Sequence, residues 1–311
     1  MNRPADAENR LLVFPDRDGE RFDIFLAGTT NLSRRAARRL ISEGLVQRNG
    51  QVLRVQSRTV NTGDVIDIVG PKLDLNISGS PPAAIDILHE DGWLLIASKP
   101  AGVLSQPAES STADTLAFDQ QVLLAIAWRD GSSPFLRMVH RLDRVTSGAI
   151  LFARSPDALP ELSRCWRAGG VERYYLAVVE GHPEPEAFSV DFPIARDLEH
   201  TWRFRTHDAG KPARTTVEVL KRLDDGLSVV GCRLVTGRTH QVRVHLSSFG
   251  NPVLGDRLYG STRAHTVGRP LLHAASLGFP HPTSGDRLHV QCPPPPDIAE
   301  FLPEDLALPK A

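Results

Sequence analysis

The sequence predicts an α+β protein in two parts: a small N-terminal α/β unit, then a larger domain built on an antiparallel-rich mixed sheet. Three observations carry this. The chain is 311 residues long, more than one typical domain. From Ile85 onward, short β-type runs follow one another with few helical stretches between them, which favours antiparallel pairing over a doubly wound sheet. Between the parts lies GPKLDLNISGSPPAA, beginning at Gly70, rich in Gly, Pro and Ser as linkers are.

Taken in order, residues 1–15 read as a polar, flexible leader with no apolar stretch suited to a secretory signal. Residues 16–70 form the small unit. In it, NLSRRAARRLISEGLVQRNGQ predicts a helix with Ser33 as N-cap and Gly44 as its stop. At a hundred degrees per residue, Ala36, Ala37, Leu40 and Ile41 share one side, and Arg34, Arg35, Arg38 and Arg39 the other. Alternating strands and an Asn49-Gly50 turn follow. Residues 71–84 are the linker. The large domain, 85–300, carries the strand-like runs ILHEDGWLLIASK, SGAILFAR, RYYLAVVEG, TTVEVLKRL, LSVVGCRLV and RLHVQC. Helical patterns cover 113–128 and 157–168. GRTHQVRVH reads on its own as an alternating strand, with Gln241, Arg243 and His245 on one face and Val242, Val244 and Leu246 on the other. PPPP at 293–296 ends the last strand, and 301–311 are a tail.

Composition narrows the function classes. The chain is 41% apolar and 23% charged, as ordinary soluble proteins are. It has no apolar run of membrane-spanning length. Its three cysteines, Cys165, Cys232 and Cys292, are far apart and odd in number. A disulfide framework or a zinc ribbon is therefore not expected, and a reducing cytoplasm fits. The net charge of -1 argues against wholesale electrostatic binding of nucleic acid, but phosphate contacts need only one basic face. From Ser33 to Arg58 there are seven arginines against one acid, Glu43, a local excess of six. A solvated helix face normally mixes signs, because like charges one turn apart repel by a few tenths of a kcal/mol. Arg34, Arg35, Arg38 and Arg39 are thus candidates for phosphate binding. With the phrases RFDIFLA, RNGQ and GDVIDI, this stretch resembles the small RNA-binding S4, or S-four, domain, which implies RNA rather than DNA as the partner.

The chemistry-bearing stretch is HRLDRVTSG, His140 through Gly148, where one acid, Asp143, sits among His140, Arg141 and Arg144. Phosphate loops and a nucleophilic serine elbow are absent from the sequence. His240 and His245 are five apart, unlike the spacing of helical metallopeptidase ligands. A metal-dependent hydrolase using His140, His240 and His245 is a weaker alternative. Taken with ERYYLAVVEG, LVTGRTHQVRVH and NPVLGDRLYG, HRLD followed by TSG resembles the RluA family of pseudouridine synthases, over the whole of the large domain.

The resemblance implies a pseudouridine synthase fold and isomerisation of uridine within RNA, with no cofactor and no metal. It further implies large-subunit ribosomal RNA as substrate; a monomer that binds neither membrane nor DNA is expected. Transfer RNA as substrate, or a non-catalytic RNA-binding protein on this scaffold, stand as alternatives. By position, Asp143 is then the catalytic aspartate, and Tyr175 stacks on the uracil and helps remove a proton. Arg243 pairs with Asp143, and Arg141 fills the space left by an extruded nucleotide. Physical reasons agree. Taking a base out of its stack costs a few kcal/mol, and a planar guanidinium can fill the gap. A carboxylate under a substrate loses water, and a close arginine opposes that cost without giving up its own proton. The chain departs from the family at Ser98, Val145 and Arg173, which bears on substrate choice. His140, Arg144, His240 and Gln241 read as structural or positioning residues, and Tyr174 as a core residue.

Overall fold

The computed structural model describes residues 9–70, 73, 82–107, 116–130, 134–200, 202–304, 306 and 308. By contacts the chain divides into two compact units, residues 1–85 with 106–136, and residues 86–105 with 137–311.

In the first unit, β1 (Asn9–Leu12), β2 (Val46–Arg48), β3 (Gln51–Val52) and β4 (Val65–Ile68) form an antiparallel sheet in the order β1-β4-β2-β3. It packs with α1 (Phe22–Thr29) and α2 (Arg34–Ser42). Ser33 caps α2, its Oγ accepting from Ala36 N at 3.2 Å, and the chain leaves the helix through Gly44 at φ 76°. Ala37 and Ile41 of α2 are fully buried, as the helical periodicity requires.

Two boundaries differ from the sequence reading. Residues 9–15 are not leader. Asn9–Leu12 pair with β4, and Leu11, Leu12, Val13 and Phe14 are buried. Burying each of these apolar side chains is worth about 1.5–3 kcal/mol, which a run of only four apolar residues in a polar stretch does not announce. The leader at 1–8, and most of the linker (71, 72 and 74–81), lie outside the described residues. The second difference is α3 (Phe118–Asp130), which belongs to the first unit rather than to the large domain. Trp128 meets Phe14 edge-on at 5.7 Å, and Gln120 Nε2 donates to Gly63 O at 3.3 Å.

The second unit is a mixed sheet. Its strands are β5 (Ile87–Glu90), β6 (Leu94–Lys99), β7 (Arg137–Met138), β8 (Ser147–Ala153), β9 (Glu172–Glu180), β10 (Ala187–Val190), β13 (Thr215–Arg222), β14 (Leu227–Leu234), β15 (Leu272–Pro280) and β16 (Arg287–Gln291). The long path runs β10-β13-β14-β9-β15-β8-β6-β5, with β16 on β15 and β7 on β8. Every pairing is antiparallel except β8 with β15. At that parallel junction Gly148 sits at φ 128°, and a Cβ there would lie 2.4 Å from Ala274 O. Only glycine lets the two strands close. A separate hairpin is made by β11 (Ile194–Arg196) and β12 (Phe204–Thr206), and α4 (Ala158–Arg167), α5 (Gln241–Ser248) and α6 (Pro296–Ala299) complete the unit.

GRTHQVRVH is thus not a strand: Gln241–Ser248 is a helix. In it Val242 and Leu246, four apart, face the sheet core together, while Arg243 is turned elsewhere. The C-terminal tail also packs, with Phe301, Leu302, Leu306 and Leu308 partly buried against core clusters.

Candidate active site

The loop carrying Asp143 leads directly into β8, in the middle of the sheet. Several side chains hold it there. His140 stacks on Trp166 at 4.0 Å between ring centroids, and its Nε2 accepts from Leu151 N at 3.1 Å. Burial pushes its pKa down to about 3, so the imidazole is neutral at physiological pH. The guanidinium carbon of Arg173 also lies over the Trp166 ring, 5.3 Å from its centroid. Ser105 Oγ accepts from Leu142 N at 3.1 Å and donates to Leu142 O at 2.7 Å. Arg269 reaches Val145 O and Ser147 Oγ, each at 3.4 Å.

Lys99, which has no solvent exposure, ties this loop to the turn that follows β6. Its Nζ donates to Pro100 O at 2.9 Å, Val103 O at 2.8 Å and Arg144 O at 3.3 Å. Arg144, in turn, donates from Nε to Gly102 O at 2.9 Å. Burial lowers the Lys99 pKa from 10.5 to about 8, against the opposing pull of Asp143. Below pH 8 folded and unfolded chains both carry the proton, and the burial penalty is present in full. Between about 8 and 10.5 the unfolded chain still binds the proton that the folded chain has lost, so stability rises with pH. Denaturant titrations across that window should show wild type gaining on Lys99→Met with a slope approaching about 1.4 kcal/mol per pH unit. A difference independent of pH would mean that Lys99 is not the buried cation described.

Asp143 keeps 24% of its side chain exposed. Its Oδ2 lies 3.3 Å from Arg243 Nη1 and 3.9 Å from His240 Nε2. Arg243 comes from α5, a hundred residues further along the chain. It is held from behind by Asp256, Nε donating to Oδ2 at 2.6 Å and Nη2 to Oδ1 at 2.9 Å. Asp256 is 1% exposed, and the Tyr259 ring lies 5.0 Å from the guanidinium carbon. Burial works against the charge on Arg243, but Asp256 and Asp143 outweigh it and raise its pKa. The fork geometry explains why this must be arginine: two of its three nitrogens anchor it while the third faces Asp143.

His240 starts α5 from the left-handed region, φ 57°, an uncommon conformation for a residue with a side chain. Its Nδ1 lies 2.7 Å from the Tyr259 hydroxyl, which also accepts from Phe204 N at 3.1 Å. A tyrosine O–H donating to Nδ1 puts the ring proton on Nε2, toward Asp143. Burial lowers the His240 pKa, keeping the ring neutral.

Tyr175 lies on β9, paired with Ala274 of β15 on one side and Cys232 of β14 on the other. It packs against the cluster that includes Val242 and Leu246. Burial, with the nearby negative charge of Asp143, pushes its hydroxyl up to about 12 although Arg173 opposes this. The phenol is therefore protonated in the resting protein. Tyr174, pointing to the opposite face, is 1% exposed and its hydroxyl donates to Glu218 Oε1 at 2.9 Å. Arg141 is exposed and has no partner among the described residues.

The histidines proposed for a metal do not converge. His245 Nδ1 meets Thr215 Oγ1 at 2.9 Å and Nε2 meets Phe192 O at 3.0 Å, while His140 and His240 are engaged as described. No group of three or more His, Cys, Asp or Glu is placed to hold a metal among the described residues.

On α2 the four arginines are not equivalent. Arg34 and Arg38 bond Asp23 of α1, Arg39 lies 3.7 Å from Glu43, and Arg35 is exposed without a partner among the described residues. Lys99, Asp256, Tyr259 and Asp23 are the members that sequence reasoning passed over. Asp256 and Tyr259 lie inside the phrase NPVLGDRLYG without being singled out, and no local pattern marks which polar residue will be buried.

Residues 93–248 match the family described as RNA pseudouridylate synthase, and residues 20–66 match the S4 domain. An uncharacterized RNA pseudouridine synthase of Chloroflexus aurantiacus is 38% identical, over 96% of this chain and 94% of its own. Ribosomal large subunit pseudouridine synthase D of Zymomonas mobilis is 35% identical, over 90% and 92%. Among solved structures, human RNA pseudouridylate synthase domain containing 1 aligns with a TM-score of 0.60 at 27% identity, over 75% of this chain and 94% of its own.

Proposed function

This chain belongs to the RNA pseudouridylate synthase family, and we propose that it isomerises uridines of large-subunit ribosomal RNA, with Asp143 as the catalytic carboxylate. The activity is that of an isomerase: the bond from ribose to ring nitrogen breaks, the uracil turns, and the ribose is rejoined to ring carbon five. That carbon gives up a proton and the freed nitrogen gains one, so the atoms balance.

The observation that carries the assignment is the Asp143–Arg243 contact, 3.3 Å across a hundred residues of chain, with Asp256 behind it. A partly exposed carboxylate whose arginine partner is fixed by a second, buried carboxylate is held at a set position for a substrate. Tyr175 supplies an aromatic platform for the detached uracil. With its hydroxyl pushed to about 12, its resting role is stacking, and any proton it takes from the ring must be taken after the nucleotide has changed its surroundings. Arg141, exposed and unpartnered among the described residues, is free to occupy the gap left by the flipped nucleotide.

The substrate assignment rests on similarity to large-subunit synthases and on the basic face of α2. Among the described residues no helix is long and apolar enough to cross a membrane, and the cysteines Cys165, Cys232 and Cys292 are unpaired. Our reading places this work on RNA in the cytoplasm, by a monomer with no DNA partner. The deciding experiment maps pseudouridines across cellular RNA with and without the gene. Loss of a signal in large-subunit RNA is the expected outcome; loss confined to transfer RNA would overturn the substrate assignment.

Converting Arg34, Arg35, Arg38 and Arg39 together to Ala should weaken binding of ribosomal RNA fragments. The log–log salt dependence should flatten by roughly one unit per lost phosphate contact. An unchanged slope would show the α2 face to be solvated and nothing more.

A further inference from the structure

The four arginines of α2 were expected to act through their charge alone. The structure adds an organiser from the preceding helix. Asp23, in the first turn of α1, has no side-chain exposure. Three guanidinium groups converge on it, and each uses the same atom: Arg34 Nε at 2.9 Å, Arg38 Nε at 2.7 Å and Arg21 Nε at 3.2 Å. Their terminal Nη groups have no partner among the described residues, and the three side chains are 46–48% and 43% exposed for Arg21, Arg34 and Arg38 in turn.

We propose that Asp23 is a positioning residue for RNA binding, and that Arg21, Arg34 and Arg38 form one preset cradle for backbone phosphate. This rests on the reading of the first unit as RNA-binding. An arginine tied down at Nε still presents both Nη groups on its outer edge, the edge that pairs with phosphate oxygens. Three such edges fixed around one buried carboxylate leave a net charge of about two positive, with the side chains already ordered. Ordering long side chains at the moment of contact otherwise takes away part of the affinity. Charge counting alone makes the opposite forecast: removing the acid should strengthen attraction to a polyanion.

The test uses that difference in sign. In the full-length protein, Asp23→Asn should bind a short ribosomal RNA hairpin roughly tenfold more weakly despite its extra positive charge. Because Asp23 is buried, Asp23→Asn is accompanied by Arg34→Lys with Arg38→Lys, which keeps the charge and removes the fork; it should weaken binding by a similar factor. Should Asp23→Asn fail to fold, the lysine pair decides alone. Binding as tight as wild type or tighter, in a folded Asp23→Asn or in the lysine pair, would overturn the cradle. If Arg34, Arg35, Arg38 and Arg39 can all become Ala without changing affinity, the RNA-binding reading of this face falls as well.

Discussion

Asp143→Asn should abolish pseudouridine formation while leaving RNA affinity within about a factor of two, since the exchange adds no bulk and removes a single charge. The geometry explains the size of the effect. Asp143, the single carboxylate of its loop, stays reachable, and Arg243 faces it from a fixed position. An amide can accept a hydrogen bond from Arg243, so the fold should survive. It cannot supply the negative charge needed where the glycosidic bond breaks, whichever atom the carboxylate engages. The measurement is single-turnover pseudouridine formation on a modified-site RNA, with affinity read separately. Residual turnover within tenfold of wild type would remove Asp143 from the reaction.

The second large effect is expected at Asp256, which touches no substrate. Its carboxylate takes the Nε and Nη2 edge of Arg243, leaving only Nη1 for Asp143. Asp256→Asn should let Arg243 swing round to engage Asp143 with two nitrogens, pulling the catalytic carboxylate out of line. A misplacement of about 1 Å costs on the order of a hundredfold in rate. The expected result is a fall in kcat of that size with KM little changed. Breaking a buried ion pair also costs about 3–5 kcal/mol of stability, so the folded fraction must be measured alongside. The charge-preserving Asp256→Glu should restore part of kcat without restoring all stability, a split that a purely structural residue would not give. If kcat per folded molecule stays at the wild-type level in Asp256→Asn, Arg243 does not need its anchor.

Much of this architecture was legible in the residues themselves. Helix α2 declared its cap, its stop and its buried side through Ser33, Gly44 and the Ala37–Ile41 spacing, because these are local properties of backbone and periodicity. The phrases around Asp143, Tyr175 and Arg243 carried the family resemblance and therefore the reaction. Other features were hidden for identifiable reasons. GRTHQVRVH alternates like a strand, yet a left-handed His240 stapled to Tyr259 turns it into a helix. That hydrogen bond and the packing of Val242 and Leu246 outweigh its β pattern. The strand at Asn9–Leu12 is short and polar-flanked, and only pairing with β4 makes it structure.

The sequence alone determined the reaction class, the two-part α+β plan and the basic helix, and it singled out the carboxylate proposed for catalysis, since each is written in contiguous residues whose chemistry is local. Tertiary structure alone decided which charges are shared and which are free. Asp23 gathers Arg21, Arg34 and Arg38; Asp256 holds Arg243 for Asp143; Lys99 ties the loop from beneath. Each of these links joins residues separated in sequence, apart from the nearest ones of Arg21 and Lys99. Burial sets its strength, through the loss of water around a charge that only the folded chain can impose.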